Sequence, residues 1–255
     1  VMTQDEVLFQ KHLSDLAGTA DRRGFAVFTD FLNLNELNIF HASAQKFSYV
    51  TTKTFGGYEH AERQMAAFIP DALLFQWSFP IACLRIRPLN KKFAEKLTHR
   101  DCLGALMHLG IEREMIGDIL ITSSVIYVAC MQQMAEYIRT ELTKIRHTIV
   151  TVSYCEAQEV KNLSLSKGEE AELLVSSLRL DAVVAAVFRL SREESQRIIR
   201  EKRVFVSGRL CENNSGIVKE DSMISVRKKG RFYFHKIAAK TKKDKFKIRI
   251  TRYDS

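Results

Sequence analysis

Proline and glycine are scarce in this 255-residue chain, at 3 and 11 residues, which excludes a collagen-like protein and argues against long low-complexity tracts. Glycine-rich phosphate loops are missing as well. The pair Gly56-Gly57 lacks the GxGxxG or Walker context that cradles a phosphate, so it reads as a tight turn. The cysteines Cys83, Cys102, Cys130, Cys155 and Cys211 are odd in number and without CxxC spacing. That pattern fits neither a disulfide framework nor a zinc site, and reduced thiols in a cytoplasmic protein are expected. No apolar run approaches the roughly 18 residues that suggest a membrane helix. The start, Val1 to Leu13, carries Asp5 and Glu6 and no basic stretch before an apolar core, so it does not read as a secretory signal. What is present is the composition of a folded protein large enough for two or three domains.

Charge is distributed unevenly. Residues 1–160 hold 16 Lys+Arg against 18 Asp+Glu, whereas residues 176–255 hold 21 against 9. A net charge near −2 is thus followed by one near +12. A concentrated positive field gains counterion-release energy from phosphates of any sequence, so a polyanion is the expected partner of the C-terminal end. The alternative is a merely solvated charged face.

Hydrophobic periodicity predicts an α+β multidomain protein. Residues 1–78 read as a mainly helical domain. Leu8, Leu13, Leu16 and Ala20 give one helical stripe, Leu34, Leu37, Phe40, Ala44 and Phe47 a second, and a third helix is predicted over Glu59 to Phe68, ending near Pro70. Residues 79–158 alternate differently: strand Ile81–Ile86, helix His99–Leu109, strands Ile119–Thr122 and Val125–Ala129 around Ser123 and Ser124, helix Gln133–Ile145, and strand Thr148–Ser153. This β-α-β-β-α-β order is that of the ferredoxin-like (RRM-like) split motif, with one sheet face under two helices and the other open. Residues 159–178, with Leu163, Leu165, Gly168, Leu173 and Leu174, read as a partly ordered linker.

The basic segment 179–255 begins with a short apolar helix, Leu180–Phe188. Ser191 followed three residues later by Glu194 reads as a capping box, the Ser hydroxyl accepting a backbone N–H and the Glu carboxylate answering the N-cap amide, and starts a second helix over Arg192–Lys202 that buries Ile198 and Ile199. On its polar side Arg192, Gln196 and Arg200 recur every four residues and share a face, with Arg197 and Arg203 beside it. Strands are expected at Val204–Val206 and Ile224–Val226, and a hairpin at Phe232–Phe234 and Phe246–Ile250 across the turn Lys240–Lys245.

The run RLDAVVAAVFRLSREESQRIIREKRVFVSGR, from Arg179 to Arg209, followed by EDSMISVRKKGRF, resembles the S4 RNA-binding domain. That resemblance implies two helices and a small sheet that hold structured RNA against the paired helices. The family's opening Arg-Leu-Asp falls on Arg179, Leu180 and Asp181, and the Ser-Arg opening its second helix on Ser191 and Arg192. Three positions depart from it: Lys202 stands where Gly is usual, Ser207 where Asn is common, and Glu220 replaces the Gly before Asp221. TDFLNLNELNIF at Thr29–Phe40, FGGYEHAERQMAAFIP at Phe55–Pro70 and HRDCLGALMHLGIEREMIGDI at His99–Ile119 resemble the bacterial YlmH family of S4-domain proteins over nearly the whole chain. The resemblance implies an RNA-binding factor of the large ribosomal subunit. It would contact 23S rRNA and the tRNA of a stalled peptidyl-tRNA complex in nascent-chain quality control. Relatives also occur near cell-division genes.

Expected RNA contacts are Arg179, Arg189, Arg192, Arg197, Arg200, Lys202 and Arg203, with Gln196 offering a neutral donor and acceptor, and Lys228, Lys229 and Arg231 around Gly230. Arginine presents a planar fork to phosphate oxygens. Among Phe232, Tyr233 and Phe234, strand alternation makes at least two core residues rather than a stacking platform. Lys240, Lys242, Lys243 and Lys245 carry no specific pattern.

For chemistry, His99, Arg100, Asp101, His108, Glu112 and Asp118 are the candidates. His99 and Asp101 point to different helix faces and no nucleophile is marked, so capping and packing are expected, with no enzyme activity, cofactor or metal. Two other classes stay open. One is an RNA-modifying enzyme that presents RNA with its basic module; the other is a cell-division-linked scaffold holding a protein through residues 1–78.

Overall fold

The computed structural model describes residues 3–72, 76–90, 95–122, 125–165, 168–241 and 244–253. The chain divides into two compact units, Val1–Glu36 with Ser43–Ser164, and Leu37–Ala42 with Leu165–Ser255.

The first unit opens with α1 (Gln4–Arg23). Thr3 and Glu6 close a capping box, and Gly24, at φ +69°, ends the helix by donating its N–H to Ala20 O. Leu13, Ala17 and Ala20, at helical spacing, form the buried stripe. The strands β1 (Val27–Phe28), β2 (Val50–Phe55) and β3 (Met65–Pro70) form an antiparallel sheet in the order β1-β3-β2; α2 (Leu34–Ala42) follows β1 in the chain, and its residues Leu37–Ala42 belong to the second unit. The helix predicted over Glu59–Phe68 is not there. Residues 56–64 are loop and Met65–Pro70 is the central strand, buried along its whole length. A short, fully buried apolar run has no period, so strand and helix look alike in it. Among the described residues of 1–78 helix outnumbers strand but makes up less than half, and a three-stranded sheet is present.

The rest of this unit runs β4 (Ile81–Pro88), α3 (His99–His108), β5 (Ile116–Ile121), β6 (Ile126–Met131), α4 (Gln132–Glu141), β7 (Lys144–Ile145), β8 (Thr148–Tyr154) and α5 (Ala157–Leu165). The sheet order is β5-β6-β4-β8-β7, antiparallel throughout. Helices α3 and α4 bury Cys102, Leu106, Ala135 and Ile138 against Leu84, Ile86 and Val128 on one sheet face. The helix expected to reach Ile145 stops at Glu141, because Lys144–Ile145 turns through Arg146, at φ +54°, to pair with β8.

In the second unit, β9 (Glu169–Val175), α6 (Leu180–Phe188), α7 (Arg192–Arg200), β10 (Val204–Val206), β11 (Arg209–Leu210), β12 (Ser222–Val226), β13 (Gly230–Lys240) and β14 (Phe246–Tyr253) build a sheet in the order β11-β10-β12-β13-β14-β9. Its core joins Val183, Val184, Val187, Ile198 and Ile199 of the helices to Ile224, Phe232, Phe234, Ile248 and Ile250. Residues 159–178 are therefore not a simple linker. They supply most of α5 and the edge strand β9, whose Glu172 carboxylate pairs with Lys247 and Arg249 of β14. Polar and apolar residues alternate weakly along this strand, which hides it in the sequence, while its acids oppose the basic β14.

Candidate RNA-binding face

The face is organised by a buried acid. Helix α6 is apolar nearly all round and sits in the core, and Asp181 in its first turn is completely buried. Its carboxylate accepts hydrogen bonds from Arg179 Nε and Nη2 (3.2 and 3.1 Å), from Arg192 Nη2 (3.1 and 3.3 Å) and from Gln196 Nε2 (2.9 Å). Ser195 Oγ donates to the Asp181 carbonyl at 2.8 Å. Burial pushes the carboxyl upward. The hydrogen bonds from Gln196 and Arg179 and the charge of Arg192 outweigh it and hold the group below the usual range. Three polar side chains from the two helices are thereby fixed, with Arg179 and Arg192 still 39% and 47% exposed.

The two helices meet through Arg189, exposed and left-handed at φ +54°, and Ser191, whose Oγ accepts from Glu194 N at 3.0 Å. The reciprocal half of the expected capping box is not formed: the Glu194 carboxylate turns instead to Lys229 Nζ at 3.6 Å, tying the start of α7 to the basic turn 227–230. Arg197 is exposed, 3.9 Å from Glu201, and Arg200 is exposed without an ion pair among the described residues. Lys202 pairs with Glu212 at 2.8 Å, and Lys228 projects from the turn at φ +65°. Arg231 lies over the Tyr253 ring at 5.5 Å. Arg203 is different in kind: its guanidinium donates to Arg227 O at 2.7 Å and meets Glu201 at 3.2 Å, so it braces β12 against the end of α7.

Sequence reasoning missed Asp181 as the organiser of the face. Its signal was present in the Arg-Leu-Asp run, since an acid in the first turn of an otherwise apolar helix needs partners when buried. Arg227, 4.9 Å from the Phe205 ring, and Arg252, 5.6 Å from that of Phe188, were missed as well. Phe232 and Phe234 are fully buried, as alternation requires, and Lys240 pairs with Asp244. Lys242 and Lys243 of the basic tail, like Ser123 and Ser124, lie outside the described residues.

In the first unit two of the candidate acid–base residues, Asp101 and Asp118, are engaged in structure. Asp101 closes a capping box with Thr98. Asp118 accepts from Tyr58 Oη and from the backbone N–H groups of Glu62 and Arg63 at 2.7 and 3.0 Å, fastening the loop after β2 to β5. Arg63 completes the clasp by donating to Phe31 O and Ile116 O. At Gly56 a Cβ would lie 2.3 Å from Arg63 O, which explains a glycine there. His99 is held below its usual pKa by burial and by the nearby Arg113 charge. Among the described residues no group of three His, Cys, Asp or Glu is placed to hold a metal ion.

Comparison with known proteins gives two family models. "Putative RNA-binding domain in YlmH" matches residues 76–159 and "S4 domain" matches residues 178–224. The chain is also 33% identical over 227 residues to the "Ribosome-associated protein quality control protein P2" of Bacillus subtilis (strain 168), covering 88% of this chain and 86% of the relative. The chain belongs to the YlmH family. A solved YlmH-family structure, "Cell division protein ylmH from Streptococcus pneumoniae", is similar in fold, with a TM-score of 0.51 at 22% identity over 63% of this chain and 97% of that one. In this YlmH-family chain the S4 match ends inside β12, so β13, β14 and β9 extend the sheet beyond the matched segment. Two of the departures from the S4 pattern now have a geometry. Lys202 and Ser207 adopt φ +59° and +49°, the left-handed region that Gly and Asn tolerate best.

Lys202→Gly is accordingly expected to relieve this backbone and raise the stability of the second unit by about 0.5–1 kcal/mol, while the missing charge weakens RNA binding. Urea denaturation and an RNA titration read the two effects separately. A variant less stable than the parent would show that the Glu212 ion pair outweighs the backbone term.

Proposed function

We propose that this protein is a ribosome-associated RNA-binding factor that works on the large subunit and its peptidyl-tRNA in translation quality control, in the cytoplasm, and catalyses no reaction of its own. The observation that carries this reading is the Asp181 clasp, which holds Arg192 and Gln196 on the α7 face they share with Arg200. Pre-set guanidinium groups lose little freedom on meeting phosphates, and phosphate contacts position a protein on structured RNA. The name of the Bacillus subtilis relative supplies the setting.

Within this reading Arg179, Arg189, Arg192, Gln196, Arg197, Arg200, Lys202, Lys228, Lys229 and Arg231 meet RNA, and Arg203 supports them from behind. The middle segment, residues 79–158, is a ferredoxin-like domain: its antiparallel strands β5-β6-β4-β8 have the neighbour pattern that a split β-α-β pair produces. Residues 1–78 take no part in this basic face, and contact with a protein is assigned to them.

Crosslinking the protein to RNA in cells and sequencing the attached fragments tests the proposal. Enrichment of 23S rRNA and tRNA is the expected result, and recovery of unrelated messages alone would sink it. Incubating purified protein with RNA and S-adenosylmethionine tests the noncatalytic part. Altered nucleosides or consumed cofactor would overturn it.

A further inference from the structure

The first unit contains an aromatic pocket that the basic module does not explain. Its volume is about 700 Å³, and its lining includes Phe55, Trp77, Phe79, Ile81, Cys83 and Cys155. Phe55 and Lys53 stand on the exposed face of β2, an edge strand, and Phe55 is 39% exposed. The rings form one cluster, with Phe55 and Trp77 centred 5.6 and 5.4 Å from Phe79. Lys53 Nζ lies 5.6 Å from the Trp77 ring.

We propose that this pocket takes a single unstacked base of a single-stranded RNA segment, with Lys53 meeting the adjoining phosphate. The proposal rests on the RNA-binding reading and adds a second, separate mode of contact to it. Aromatic walls favour a flat base over an aliphatic side chain, because every base offers a π-face whatever its identity. A cation beside the ring supplies charge complementarity to a nucleotide, which an apolar peptide would not use. The exposed Ser78 and Gln132, also in the lining, offer donors and acceptors to a base edge. Trp77 and Phe79 lie in the segment matched by the RNA-binding model of the family. The volume suits a nucleotide, being within the roughly 300–1,000 Å³ of ligand clefts.

The chain has one tryptophan, Trp77, so its own fluorescence reports the pocket. Full-length protein in reductant is titrated with a six-uridine RNA, and its binding to large ribosomal subunits is measured in parallel by sedimentation. Saturable quenching is expected, with the midpoint about tenfold weaker in Phe55→Ala and near the parent value in Phe55→Tyr. Should Phe55→Ala not fold, protection of Cys155 from iodoacetamide by the same RNA decides the matter in the parent protein. The sulfur of Cys155 lies 3.1 Å from that of Cys83 at the pocket. No quenching and no protection, with subunit binding retained, overturns the pocket and leaves the functional reading standing. Loss of both signals together with subunit binding overturns both. Quenching by an apolar hexapeptide but not by RNA overturns the base in favour of a peptide.

Discussion

Replacing Asp181 by alanine is expected to destabilise the second unit by about 2–3 kcal/mol and to weaken RNA binding as well. Removing one partner of a buried ion pair costs about 3–5 kcal/mol, because the other charge is left uncompensated. Here the side chains of Arg179 and Arg192 are 39% and 47% exposed, so water recovers part of that loss. Gln196 loses its acceptor, while the Ser195 bond survives because it goes to the main-chain carbonyl. RNA binding weakens through freedom regained: three side chains held in one geometry would sample many and must be ordered again on binding. Asp181→Asn keeps an acceptor for Gln196 but no charge and should fall between. Urea denaturation and RNA titration of the three proteins check this. A parental midpoint for Asp181→Ala would remove the clasp from the account.

The same carboxylate sets a pH dependence whose direction is fixed. Burial raises its pKa, but the hydrogen bonds of Gln196 and Arg179 and the charge of Arg192 prevail, so the folded value lies below the unfolded one. Its contribution to stability is therefore present above the unfolded value of about 3.9 and is lost as pH falls through the folded value. Asp181→Asn should lack that acid-side loss, giving a stability curve that falls less steeply below about pH 4.

The two helices that meet at Asp181 were legible in the sequence because local signals agree: an apolar run, a Ser cap, then arginines four residues apart. The alternation β-α-β-β-α-β of the middle segment was legible for a similar reason. β3 was not, since Met65–Pro70 is buried on both faces and carries no alternation. β9 was missed because an edge strand with exposed acids resembles a linker until its basic neighbour, 70 or more residues later in the chain, is known. Charge alone also could not sort the arginines. Arg203 and Arg200 look alike in sequence, yet one donates to the carbonyl of Arg227 and the other faces solvent.

That sorting dictates the charge reversal that tests the face cleanly. Arg192→Glu would set a second carboxylate against the buried Asp181, so its loss of binding would be mixed with loss of fold. Arg197 and Arg200 avoid this. Both are exposed, and the only ion pair that either makes among the described residues is the 3.9 Å contact of Arg197 with Glu201. The double variant Arg197→Glu/Arg200→Glu is expected to melt as the parent does, since an exposed pair of this kind contributes about 0.5 kcal/mol or less. Its affinity for structured RNA should fall about 100-fold near 0.1 M salt, because two phosphate attractions become two repulsions. The slope of log K against log salt should shrink by about 1.5, at roughly 0.7–0.9 for each phosphate that is no longer neutralised. Salt titrations with the parent and the double variant, alongside thermal melts by circular dichroism, measure both quantities. Unchanged affinity and slope in a folded variant would move the RNA to another surface. A lower affinity with an unchanged slope would mean that these arginines do not neutralise phosphates and act on the RNA through base edges or ribose hydroxyls instead.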